Sequence, residues 1–136
     1  MTDSEFLEAF EACLIPASEF HHRDHLRLAL VYLRRYGAGA AASRIAESIR
    51  RYAAHLGKAD KYHETVTQAW LQMVHAAASS TQVATLDQLI AKHPELLDKN
   101  ALDRYYSADL LNSAAARLSF VPPDRFPLPA AASVER

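Results

Sequence analysis

The chain has a single cysteine among its 136 residues, which rules out an internal disulfide and a multi-cysteine zinc site. Cys13 falls in an apolar helical context, where a free thiol packs as a small hydrophobe. Glycine is scarce too, with three residues. None of them builds a phosphate-cradling loop or a dinucleotide fingerprint, and no nucleophile triad signature occurs, so phosphoryl and hydride transfer are disfavoured. Neither sign of charge is in excess: 15 basic residues face 16 acidic ones for a net charge of −1. Despite the local pairs Arg34, Arg35 and Arg50, Arg51, that balance argues against nucleic acid as a partner. No apolar run approaches the ~18–20 residues of a membrane span. The opening MTDSEFLEAFEA lacks the basic start and apolar stretch of a leader. A soluble, cytoplasmic protein with no membrane partner is expected.

What remains is apolar and helical. Half of the residues are hydrophobic, enough for one domain with a core in a chain too short for two ordinary ones. The reading is one domain over residues 1–129 and a frayed tail at 130–136. Nothing alternates with the period of a strand and no repeat recurs. The class is therefore all-α: a bundle of four main helices, then short C-terminal helices and an extended proline-rich tail.

Thr2 and Glu5 form a capping-box pair ahead of Phe6, Leu7, Phe10, Cys13 and Leu14, predicting a helix over about residues 3–13 that Pro16 closes. A second helix starts near His22 or Asp24 and stops at Gly37 after Arg34 and Arg35. The third, alanine-rich, covers residues 38–56 with Ala42, Ile45, Ile49, Tyr52, Ala53 and Leu56 inward. The fourth covers about residues 62–77, with His63, Val66, Thr67, Trp70 and Val74 on one stripe. After a break at Ser79, Ser80 and Thr81, short helical pieces over 85–92, from Pro94 and at 101–106 lead to Ser107, an N-cap for residues 108–113. Pro122, Pro123, Pro127 and Pro129 preclude regular structure beyond. Phe120, Phe126 and Leu128 are expected to enter apolar grooves.

Two stretches gather chemistry. FHHRDHLRLALVYL at 20–33 sets three histidines and an acid ahead of an apolar helix, and KYHETVTQAW at 61–70 repeats a histidine-bearing polar start. His22 and His25 lie about one helical turn apart and are positioned to share a cation, with His63 as third ligand if the two helix starts meet. Three neutral imidazoles with an open position suit zinc or another divalent ion. The spacing is not H-E-x-x-H, and Glu64 is the nearby acid that would serve as catalytic proton carrier. Arg27 and Arg117 would grip a carboxylate on a small polar ligand, or pair with an acid such as Glu64 or Asp109. Thr67 shares the His63 stripe.

In order, HHRDHLRLALVYL, KYHETVTQAW and LDRYYSADLLNSAAARLSFVPPDRFPLP resemble a family of small, mostly bacterial proteins without an established activity. Their motifs are H-x-x-H-L-R, K-Y-H-E-T-x-T and Y-Y-S…S-x-x-A-R…F-V-x-P-D…P-L. The resemblance covers most of residues 20–129 and supplies no reaction. It implies a shared set of positions: His22, His25, Leu26, Arg27, Tyr62, His63, Glu64, Thr65, Thr67, Tyr106, Ser107, Arg117 and Pro123. It adds Tyr62 and Tyr106 to the residues expected around a ligand. Leu30 stands where the family pattern has tryptophan, which bears on the lining of a pocket more than on its chemistry.

Two functional readings follow. One is a histidine-lined pocket for a divalent metal such as zinc or a small polar ligand, with enzymatic activity open. The other is a non-enzymatic interaction module in which histidine, tyrosine and threonine at helix starts satisfy orphan backbone groups and one another. His21 reads as a solvent-facing neighbour, while His55, His75 and His93 lack a partner motif.

Overall fold

The computed structural model of the chain describes residues 1–130, and among these every regular element is helical, with no strand. The chain divides into two compact units, Met1–Tyr62 and His63–Arg136. Apart from Ala130, the tail expected to fray lies outside the described residues.

The first unit opens with α1, Asp3–Glu11. Its capping box is formed: the Thr2 hydroxyl accepts from the Glu5 amide at 3.1 Å, and the Glu5 carboxylate accepts from the Thr2 amide at 2.8 Å. The helix ends earlier than its apolar spacing suggests because Cys13 turns into the left-handed region, φ 59°. A three-residue 3-10 turn, Ala17–Glu19, leads to α2, His22–His55. That helix is broken at Gly37, whose φ of 81° and ψ of 164° lie in a region essentially reserved for glycine. A Cβ there would meet nothing within 4 Å, so the backbone angle, and not space, demands glycine.

Before the break, Leu26, Leu28, Ala29, Leu30, Val31 and Tyr32 are all buried. After it, the buried set is Ala41, Ile45, Ala46, Ser48 and Tyr52. Ile45 and Tyr52 lie inward as expected, but Ala42 and Ile49 are only half-buried. In an alanine-rich helix the contrast between faces is weak, and the buried stripe falls on Ala41, Ile45, Ser48 and Tyr52. Phe10, Phe20 and Tyr52 form one aromatic cluster with centroids 4.7–5.3 Å apart. The Tyr52 hydroxyl donates to the Ile15 carbonyl at 2.8 Å. The Tyr32 hydroxyl donates to the Glu11 carboxylate at 2.6 Å, and burial, aided by that carboxylate, raises its pKa.

After a 3-10 turn at Ala59–Lys61, the second unit runs through α3, Glu64–Ser80, and α4, Leu86–Lys92, then 3-10 turns at Pro94–Leu97 and Ala101–Arg104. It finishes with α5, Ala108–Leu111, and α6, Ala114–Leu118, which packs against α3. Thr85, Ser107 and Ser113 each cap a helix by accepting from the amide three residues on. Residues 119–130 carry no regular structure. Phe120 and Phe126 are 37% and 56% exposed, so they do not occupy the apolar grooves expected for them. The segment is held by hydrogen bonds instead, as set out below.

Candidate functional site

α3 starts at His63 because the imidazole itself is the cap. Its Nδ1 accepts from the Val66 amide at 3.1 Å, one of the orphan donors of a helix start. With Nδ1 accepting, the ring carries its hydrogen on Nε2, which donates to the Leu111 carbonyl at 2.7 Å. Both nitrogens are thus committed within the second unit, and the tautomer is fixed.

Thr65 is fully buried. Its hydroxyl donates to the Ser119 carbonyl at 3.0 Å and accepts from the Val121 amide at 3.1 Å. The same short segment receives Tyr106, whose hydroxyl donates to the Val121 carbonyl at 2.8 Å. Burial first, and the Asp124 charge second, push the Tyr106 phenol up to about 12. Ser107 presents its amide and hydroxyl to the two Asp124 oxygens at 2.8 and 2.6 Å. These bonds hold the Asp124 carboxyl below its ordinary value. The Arg125 amide donates to the Tyr105 carbonyl at 2.9 Å. The second and third motifs therefore interlock, pinning residues 119–125 with hydrogen bonds.

The remaining expected site residues of this unit take quieter places. Glu64, in the first turn of α3, accepts from the Gln68 amide group at 3.2 Å. Thr67 is buried on α3, and Arg117 sits half-buried in the last turn of α6.

In the first unit the His21 amide donates to the Asp24 carboxylate at 3.0 Å and closes the start of α2. Arg27 does pair with an acid, but the acid is Asp3, 2.9 Å away. It also donates to the Met1 carbonyl at 2.8 Å and lies 4.6 Å over the Phe6 ring. Tyr62 lies beneath the Arg50 guanidinium, 4.9 Å from ring centroid to carbon.

His25 differs from all of these. Its Nε2 is buried without a hydrogen-bond partner, and its ring lies 6.3 Å from that of Phe20. Burial, with a smaller contribution from the His22 charge, pulls its pKa down to about 4. The ring is therefore neutral near pH 7.

Among the described residues, no group of three or more His, Cys, Asp or Glu side chains is placed to hold a metal ion. No helix among them is long and apolar enough to cross a membrane. Comparison with protein-family models, curated proteins and solved structures finds no match to this chain.

One arrangement escaped the motif reading. His93 has Nε2 2.8 Å from the Thr81 hydroxyl and Nδ1 3.5 Å from a Glu95 oxygen. The readable signal was the H-P-E spacing, since a proline after the histidine forces its backbone out of the helical region and ends α4 there.

Proposed function

We propose that this chain is a helical interaction module whose histidine motifs are structural, with partners met on its exposed surface. The observation that carries this reading is His63: a metal ligand needs a free lone pair, and here one nitrogen caps α3 while the other donates to Leu111. Arg27, Thr65, Tyr106 and Ser107 support it, because each spends its polar atoms on the protein itself. Metal titration of protein carrying no histidine tag, beside His63→Gln, tests the proposal. The expected result is no stoichiometric uptake of zinc, manganese, iron, nickel or copper, and one melting temperature with or without metal. Uptake of one equivalent that His63→Gln abolishes would overturn it.

A second reading, binding of a small polar ligand or a divalent ion such as zinc at His22 and His25, is favoured by a single observation. The buried Nε2 of His25 is neutral and without a partner, and such an atom is a ready donor or ligand. Uptake that survives His63→Gln and is lost in His25→Leu would favour it over the first.

A further inference from the structure

Outside the motifs, the second unit carries a hydroxyl, an imidazole and a carboxylate in a row. Thr81 is the first residue past α3, with extended backbone, φ −145° and ψ 130°. His93 lies between α4 and the 3-10 turn, φ −132° and ψ 66°, and Glu95 opens that turn. The seven residues of α4 thus return the chain so that His93 meets the residue where α3 ended. The Ser80 hydroxyl, 3.3 Å from that of Thr81, donates to the Ala77 carbonyl at 3.1 Å. The Thr81 hydrogen therefore has its shorter and more basic acceptor in His93 Nε2, at 2.8 Å. That leaves the His93 hydrogen on Nδ1, facing Glu95 at 3.5 Å. This is the order nucleophile, base, orienting acid.

The row stands between two concavities. His93 and Glu95 line a hollow of about 260 Å³ with Met73, Ala77 and Leu96. Thr81 lines the other, an open depression of about 570 Å³ shared with Val83, Ala84 and Gln88. Thr81 thus borders the open depression and His93 the other hollow. Gln88 is fixed there by its carbonyl oxygen, which accepts from the Ala84 amide at 2.7 Å. Its NH2 group remains as a donor of the kind that stabilises a developing oxyanion.

We infer that Thr81, His93 and Glu95 form an acyl-transfer site that accepts small activated esters, an activity beyond the interaction role proposed above and independent of the histidine motifs. Thr81 Oγ1 attacks the carbonyl carbon and a C–O bond forms as the hydroxyl proton passes to His93 Nε2. The ester C–O bond then breaks, and the departing alkoxide or phenoxide takes that proton. Water attacks the acyl-threonine in turn, giving its proton to Nε2. Cleavage of the acyl bond returns it to Thr81 and frees the carboxylic acid. Glu95 acts as a positioning residue, holding the imidazole with Nδ1 protonated.

The test is stopped-flow release of 4-nitrophenol from 4-nitrophenyl acetate by the full chain, with peptide mass spectrometry of acid-quenched protein. The expected result is a burst stoichiometric with the chain and an acetyl group on Thr81. Thr81→Val and His93→Gln should each lower the burst rate by about 100-fold or more, while Glu95→Gln lowers it less and alters the pH profile. Mapping the acetyl group needs no variant, so loss of folding in one of them does not blunt the test. Acetylation confined to lysines, no burst, or a burst unchanged in Thr81→Val overturns the proposal.

Discussion

The hydroxyl of Thr65 accepts the amide hydrogen of Val121, 56 residues further along the chain, while donating to a carbonyl beside it. One buried side chain thus takes the place of a backbone partner for a segment that has no regular structure of its own.

Thr65→Val keeps the shape and removes both bonds. Each group left without a partner costs about 1–3 kcal/mol, so the variant, with two such groups, should lose ~2–6 kcal/mol of stability. Thr65→Ser should lose much less. Urea unfolding with both variants checks this, and equal losses would show that the hydroxyl is not what matters.

His63→Gln should be destabilising by about 1–3 kcal/mol, because glutamine cannot serve the Val66 amide and the Leu111 carbonyl in the same geometry. The loss should be the same in chelator and in excess zinc. Thermal melts under both conditions provide the comparison.

Acid should find a weak point at His25. Its folded pKa near 4 lies below the ordinary value of about 6.5, so the unfolded chain binds a proton first as pH falls. The stability this histidine contributes is complete above about pH 6.5 and drains away toward pH 4, at up to ~1.4 kcal/mol per pH unit. His25→Leu should flatten that part of the curve relative to the parent in chemical denaturation at pH 4.5 to 7. Parallel curves would place the acid sensitivity elsewhere.

Deleting residues 121–136 should lower the melting temperature, since Thr65, Tyr106 and Ser107 all lose partners at once. Far-ultraviolet circular dichroism during heating reads the change. An unaltered midpoint would mean that these bonds contribute nothing net.

Interactions that close within a few residues were legible in the sequence. The Thr2 and Glu5 box, the Ser107 cap and the stop at Gly37 all stand where their residue types put them. Interactions across long stretches were not. The partners of the Thr65 hydroxyl, Ser119 and Val121, carry no mark in sequence because they offer only backbone. Arg27 was assigned Glu64 or Asp109 as its acid, and Asp3 was missed for the same want of a distance signal. The histidine-bearing helix starts were recognised as polar clusters. Composition says nothing about whether a ring nitrogen ends on an amide or stays bare, and His63 and His25 take those two outcomes.

An unbroken helix of 34 residues would be a rod about 51 Å long at ~1.5 Å per residue. A 62-residue body has a radius of gyration of only ~11 Å. Most of such a rod would project into water with no layer to cover its leucines. By reversing φ at one position, Gly37 folds that length back so that Tyr32 and Ser48, on opposite sides of the break, come within bonding reach. The folded first unit thus depends on the one amino acid without a side chain, at a site where any other residue would have ample room.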